Sequence, residues 1–397
     1  MKHLHLSLFT LLFCSFMAQS QENEAVIIPS TVELRYTVQP SDSRIQYTGR
    51  IDKSDKSAYR FSHCGVSIQT KFYGSSVAAE ITEYGNGSAG GTNYFNVIID
   101  GKVQGKPLQL MPGKHIYTLA QNLAERTHTI ELFKRTESQV GEVAFHGFRE
   151  EVSGENLAMA DLPNLKLEFI GNSITCGYGN AVAYSAQDLE TKSGFNSVNE
   201  NNYMAYGAIT ARNLRAQYSC IAYSGRGLFQ NNTGCTEGTV PQMYDRIFPD
   251  NPQSVWTAAD RAAYAPHYII INLGSNDFYA ETSQGKNFYV EREKFVDAYV
   301  NFVNKLRSYY PQATIICTVG VMMSDSYPKN AQQWTRIQEY TQVVRNHFAS
   351  QGDNNVLYLN LGQQSVPYGE DWHPSIATHE KMAKTLTDFI LADMIKK

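Results

Sequence analysis

Three short stretches of this chain carry residues that could break an acyl bond. In the first, an apolar run at 165–170 breaks at Gly171, and Ser173 follows in a turn with Gly177 and Gly179 just beyond. A serine held where a strand ends in a tight turn stands clear of the sheet, within reach of both a base and a substrate. In the second, another apolar run closes as Asn272-Leu273-Gly274-Ser275-Asn276-Asp277; the third is Asp371-Trp372-His373-Pro374. Cleaving an ester takes a nucleophile stronger than water, a base for its proton and donors for the oxyanion that forms. Ser173 supplies the hydroxyl, and a neutral imidazole near pH 7 can take its proton and return it to the leaving alcohol. His373 lies in the loop before the last helical stretch, where Pro374 would start the helix. His379, inside that stretch, is the second candidate. Each stretch alone also reads as an ordinary polar turn, and the residues by themselves argue only acyl transfer to water.

These residues need a frame, and the second half of the chain supplies one. Apolar strand-like runs at 165–170, 218–223, 267–273, 314–321 and 356–361 alternate with helical stretches at 203–214, 291–309, 331–349 and 375–395. In the last of these, Met382, Leu386, Phe389 and Ile390 fall near one face. Such alternation implies a mostly parallel sheet covered on both faces, with reacting groups at the carboxyl ends of the strands. Ser173, Gly227 and Asn276 all follow such ends. The long segments 180–202 and 229–257 read either as walls of a cleft or as solvated surface.

The first half reads differently. From 25 to 150 the runs are short and β-like, at 65–72, 77–81, 94–99 and 127–133, with Asn86-Gly87 and Asp100-Gly101 as hairpin signals. No helical period competes, so an all-β sandwich is expected. Gly85-Asn86-Gly87-Ser88-Ala89-Gly90 fits the G-x-G-x-x-G pattern, but a strand and no helix follows it, so it has no helix N-terminus for a pyrophosphate and reads as a hairpin loop. Residues 151–164 are polar, with Pro163, and serve as the connection.

In that order, the Ser, Gly, Asn and His blocks resemble the SGNH (GDSL-type) hydrolase superfamily. More narrowly, Gly171-Asn172-Ser173-Ile174-Thr175-Cys176-Gly177-Tyr178-Gly179, Tyr206-Gly207-Ala208-Ile209-Thr210-Ala211-Arg212, Tyr223-Ser224-Gly225-Arg226-Gly227 and Asp371-Trp372-His373-Pro374-Ser375 are similar to carbohydrate esterase family two. The resemblance implies a three-layer α/β/α esterase domain at 165–397 behind a jelly-roll-like sandwich at 25–150. It implies removal of acetyl groups from acetylated xylan, glucomannan or their oligosaccharides, with Ser173 as nucleophile and His373 as base, and no metal or cofactor. The oxyanion donors would be the Ser173 N–H, a glycine N–H and the Asn276 amide. Gly227 matches the end of the second block, and Gly225 is the near alternative. The acid orienting His373 would be Asp371; Glu370 holds that place in the wider superfamily, and some members use a backbone carbonyl. Asn172 replaces the superfamily's Asp before the nucleophile and is read as structural. Trp372 would wall the acyl or sugar pocket, or pack the helix start. A lipid- or thioester-directed hydrolase and a non-catalytic glycan-binding protein are the rival readings.

Composition bounds the rest. The 397 residues suffice for two domains, and a formal net charge of -4 offers neither nucleic acid nor an anionic membrane a basic partner. Twenty-five tyrosines exceed what a core needs, and such rings serve as stacking platforms for sugars. The start reads as a secretory signal, with Lys2, an apolar run at 4–18 too short to span a bilayer, and small residues leading to cleavage after Ser20. Phe13 before Cys14 argues against a lipid anchor. Five cysteines follow, and Cys220 with Cys235 is the disulfide pair to test, against simple packing of the kind expected for Cys317. No closely spaced Cys/His cluster points to structural zinc.

Overall fold

The computed structural model describes residues 34–151, 159, 162–192, 194–283 and 290–396. The expected signal segment and most of the expected connection lie outside these residues. The β-rich half forms two antiparallel sheets. In one, Val143–Glu150 is paired with Tyr36–Val38, Tyr59–Phe61 and Val77–Glu83, and Gly113–Ala120 lies beyond. In the other, Arg126–Lys134 sits between Ser67–Gly74 and Tyr94–Ile99, with short strands at the edges. Alternate residues of both sheets point inward, so Phe61, Phe72, Phe95, Phe145 and Phe148 meet in one buried cluster.

Two turn signals fared differently. Asp100 and Gly101 both take positive φ, at 49° and 76°, and join Tyr94–Ile99 to Lys102–Val103 as a tight hairpin. Asn86-Gly87 does not: the strands flanking it, Val77–Glu83 and Tyr94–Ile99, lie in different sheets. The 85–90 loop therefore crosses between sheets, and its expected hairpin is corrected. No helix follows it, in agreement with rejecting a dinucleotide turn.

The second half is a five-stranded parallel sheet. Its strands are β1 (Lys166–Gly171), β2 (Gln217–Ala222), β3 (Tyr268–Asn272), β4 (Thr314–Val319) and β5 (Val356–Asn360), in the order β2-β1-β3-β4-β5. Neighbouring residues face opposite layers. Ile170, Ile271 and Ile315 pack beneath Phe295, Tyr299, Ile337 and Val344, while Phe169, Ile270 and Ile316 pack beneath Tyr206, Met382 and Leu386. Those covers come from four helices, with Arg292–Tyr309 and Gln333–Ser350 on one face and Tyr206–Asn213 and Ile376–Lys396 on the other. A sheet buried on both faces explains the unbroken apolar runs in the sequence. Shorter helices at Ala186–Thr191, Ala258–Ala263 and Ser275–Ser283 lie in stretches that carried no helical period.

The halves interlock through polar groups. Arg50 of the sandwich, 1% exposed, enters the other half, donates to the carbonyls of Tyr244 and of Arg246 (3.0 Å), and lies over the rings of Tyr244 and Trp256. Arg135 donates to the carbonyls of Glu200 (3.1 Å) and Val198 (2.9 Å). Cys220 is buried on β2 with its Sγ 3.6 Å from that of Cys64, whereas Cys235 is exposed. Cys220 and Cys235 are thus not partners, because the strand turns Cys220 inward toward the sandwich. A cavity of about 230 Å³ also lies along this border, lined by Glu131, Phe133, Tyr203 and Arg212, and neither Ser173 nor His373 lines it.

Candidate active site

Ser173 opens a single helical turn, α1 (Ser173–Cys176), directly after β1, and is 7% exposed. Asn172 caps the turn: its Oδ1 accepts from the Ile174 N–H at 3.3 Å, and its Nδ2 donates to Ser275 Oγ at 2.9 Å. The structural role expected for Asn172 is what the geometry gives, with the addition that it ties the nucleophile turn to the turn after β3. Gly171 has no alternative here, since a Cβ would run into Thr175 Oγ1.

His373 arrives from 200 residues further along, and its Nε2 lies 2.8 Å from Ser173 Oγ. Its Nδ1 lies 3.0 Å from the carbonyl oxygen of Glu370, which also accepts the backbone N–H of His373 at 2.9 Å. With Nδ1–H donating to that carbonyl, Nε2 keeps the lone pair that faces the serine. Left-handed backbone at Asp371 (φ 47°) and Trp372 (φ 63°) bends the chain so that the imidazole folds back over the residue three before it.

The same bend corrects the role expected for Asp371. Its carboxylate accepts from the Tyr178 hydroxyl at 2.6 Å and from the Gly194 N–H at 2.8 Å. Glu370 does not replace it, for its carboxylate accepts from the Asn196 N–H at 3.1 Å and from Asn199 Nδ2 at 2.6 Å. Among the described residues no carboxylate hydrogen-bonds the imidazole; Asp371 acts on it through its charge and its backbone. Burial pushes His373 down to about 4, against the opposing pull of the Glu370 carbonyl and Asp371. The ring is therefore neutral near pH 7, as a base must be. Tyr178 stacks on it and is itself backed by Phe195. His379 has no part in this: it is fully buried, with Nδ1 accepting from the Tyr206 N–H at 3.2 Å.

The oxyanion donors also rearrange. The Gly227 N–H is engaged by Asn231 Oδ1 at 3.2 Å, and a Cβ there would strike the Gln230 carbonyl and Asp277, so this glycine serves close packing. Gly225, at φ +76°, has an N–H without a partner among the described residues, as does Ser173. Asn276 Nδ2 donates to the Arg226 carbonyl at 2.8 Å, which fixes the amide beside the same loop and leaves its second hydrogen unused. The candidate donors are thus Ser173, Gly225 and Asn276.

Asp277 escaped the sequence reading, although it stood in the motif. It is fully buried and accepts from the N–H groups of Leu228 (2.9 Å), Phe229 (2.9 Å) and Gln230 (3.1 Å), holding the loop beyond Gly227. Burial raises it to about 6 despite those donors. Tyr178 likewise carries no role in the sequence motif; its one signal is its place beside the nucleophile turn. Trp372 is 46% exposed and packs beside Tyr368 with ring centroids 5.1 Å apart, so it does not bury itself at the helix start.

The chain is similar in sequence and fold to known proteins. Residues 47–159 match the carbohydrate esterase 2 N-terminal family, and residues 169–381 match the GDSL-like lipase/acylhydrolase family. The cellulase/esterase CelE of Acetivibrio thermocellus is 38% identical over 345 residues, which are 86% of this chain but only 39% of that protein's length. An acetylxylan esterase/glucomannan deacetylase of Cellvibrio japonicus is 28% identical over 380 residues, 95% of each chain. The solved structure of a family two carbohydrate esterase from Clostridium thermocellum in complex with cellohexaose has a TM-score of 0.76 and 36% identity, covering 88% of this chain and 99% of that one. With the β-sandwich and the hydrolase half both matched, in sequence and in fold, the chain belongs to carbohydrate esterase family two.

Proposed function

We propose that this chain is an exported serine esterase that removes O-acetyl groups from acetylated xylan, glucomannan or their oligosaccharides. The observation that carries the reading is the 2.8 Å contact between Ser173 Oγ and the Nε2 of a neutral, oriented His373. In the first step Oγ adds to the acetyl carbonyl while Nε2 takes the hydroxyl proton, and the oxyanion is received by the donors of Ser173, Gly225 and Asn276. Collapse expels the sugar hydroxyl, which takes the proton from His373 and leaves acetyl-Ser173. Water then adds by the same route, releasing acetate and restoring the serine. The sugar substrate rests on the kinship with acetylxylan and glucomannan deacetylases, and on the exposed Trp372, one residue from the base and packed beside the half-buried Tyr368. Export rests on the charge and apolar run of residues 1–20; among the described residues no helix is long and apolar enough to cross a membrane.

The test is acetate release from acetylated xylan and glucomannan by the full chain, beside p-nitrophenyl acetate and octanoate. Ser173→Ala and His373→Ala should each lose about 10⁴-fold or more in kcat while keeping the wild-type fold. A preference for octanoate would move the activity to lipid-type esters. No turnover of any ester would reduce the chain to a glycan-binding protein.

A further inference from the structure

The loop that carries Gly225 is gripped from the other domain. Glu137 lies between the strands Arg126–Lys134 and Val143–Glu150 of the sandwich and is 1% exposed. Its Oε2 accepts from the Ser224 backbone N–H at 2.8 Å, and its Oε1 accepts from the Ser224 hydroxyl. Gln139, two residues on, donates through Nε2 to the Ser224 carbonyl at 2.9 Å. The N–H, hydroxyl and carbonyl of one residue are thus all held by the sandwich, and that residue immediately precedes Gly225. Its own domain holds the loop on either side of Ser224, by the Tyr223 N–H on the Gly171 carbonyl (3.3 Å) before it, and by the Asn232 N–H on the Gly225 carbonyl (2.9 Å) and Asn276 on the Arg226 carbonyl after it.

Glu137 is itself fixed from behind. Its backbone N–H donates to Glu200 Oε2 at 2.8 Å, and Glu200, fully buried, is anchored through its carbonyl to Arg135. Burial and the neighbouring Glu137 carboxyl lift Glu200 well above the usual carboxylate range. Glu137, Glu200 and Cys176 could by spacing hold a metal ion. Both Glu137 oxygens are already committed to Ser224, however, and that commitment points toward the loop.

We propose that Glu137 is a positioning residue, through which the N-terminal β-domain sets the direction of the Gly225 N–H in the oxyanion hole of the hydrolase domain. A glycine peptide at positive φ has a shallow energy surface and can rotate unless its neighbours are pinned. A donor that strays by about 1 Å from the developing oxyanion loses much of its value, on the order of 10²-fold in rate. The β-domain then does more than cover its partner: it completes the hole.

The inference rests on the serine-esterase reading, and the experiment separates the two. Glu137→Ala, Glu137→Gln and Gln139→Ala are made in the full chain and assayed on p-nitrophenyl acetate and acetylated xylan, with Tm and circular dichroism for folding. Glu137→Ala should lose about 10²-fold in kcat with KM within about threefold, since the hole acts on the transition state and hardly on bound substrate. Glu137→Gln keeps one acceptor oxygen and should recover at least about tenfold. Gln139→Ala should lose about tenfold in kcat alone, and decides the matter if Glu137→Ala does not fold. Wild-type kcat in folded Glu137→Ala, or in Gln139→Ala, would overturn the proposal and leave Glu137 as an adhesive between domains. Absence of turnover in the wild type, or full activity in Ser173→Ala, would sink the esterase reading instead.

Discussion

His373 and Tyr178 lie ring to ring, with centroids 4.1 Å apart and planes 27° from parallel, while the Tyr178 hydroxyl donates to Asp371 at 2.6 Å. One tyrosine therefore covers one face of the imidazole and occupies the Asp371 carboxylate. What remains to orient the imidazole is a peptide carbonyl, that of Glu370.

The proposed Ser173–His373 dyad makes a kinetic prediction. Neither Asp371→Asn nor Glu370→Gln should cost more than about tenfold in kcat/KM, because neither carboxylate bonds the ring, whereas loss of an orienting acid from a triad costs on the order of 10⁴. Glu370→Gln should show its effect mainly in Tm, through Asn196 and Asn199. A drop of 10²-fold or more confined to Asp371→Asn would return the orienting role to that acid.

The pH dependence follows from burial of the base. Protonated His373 cannot accept the serine proton, so kcat/KM should rise with pH through about 4 and be level by neutrality, in place of a rise near the usual 6.5. Tyr178→Leu removes the cover from one face of the ring and should move the midpoint upward, toward 6.5. The profile is read on a neutral ester; a wild-type midpoint at 6.5 would contradict the desolvation of the imidazole.

Thiol chemistry offers a check on the interior. Of Cys64, Cys176, Cys220, Cys235 and Cys317, only Cys235 is exposed, and burial pushes the thiols of the other four up. Native protein lacking residues 1–20 should titrate one thiol with a disulfide reagent and five after denaturation. Rapid reaction of several thiols in the native state would contradict the burial of this border; a denatured count of three would mean that Cys64 and Cys220 had oxidised.

Arg50 should be costly to remove. Its guanidinium lies 3.9 Å from the buried carboxylate of Glu168, which also accepts from Tyr244. Arg50→Ala leaves that carboxylate and two carbonyls without their partner, at a cost of about 3–5 kcal/mol. Arg50→Lys should rescue little, because an ammonium lacks the flat fork that stacks on Tyr244 while bonding two carbonyls. Urea unfolding monitored in both halves measures it, and wild-type stability in Arg50→Ala would refute the anchor.

The parallel sheet was legible in the sequence because burial on both faces leaves nothing to interrupt a strand: Ile269, Ile270 and Ile271 are all fully buried. Most strands of the sandwich were not. Gly113–Ala120 shows a largely exposed face, and the register of Val143–Glu150 slips between Phe145 and Gly147, which blurs its alternation. At the site, Ser173 and His373 announced themselves by side chain. The orienting acceptor could not, since a backbone carbonyl has no residue type, and the choice between Gly225 and Gly227 turned on which N–H Asn231 had already taken.

The Arg50 insertion also bears on what counts as a separable part of this protein. A side chain from the first half that ends on carbonyls and rings of the second means that neither half has a finished outer surface along their border. Anyone grafting the hydrolase half onto another scaffold must also refill the socket formed by Tyr244, Trp256 and Glu168. A protease that cuts between 151 and 165 should leave two pieces that still travel together.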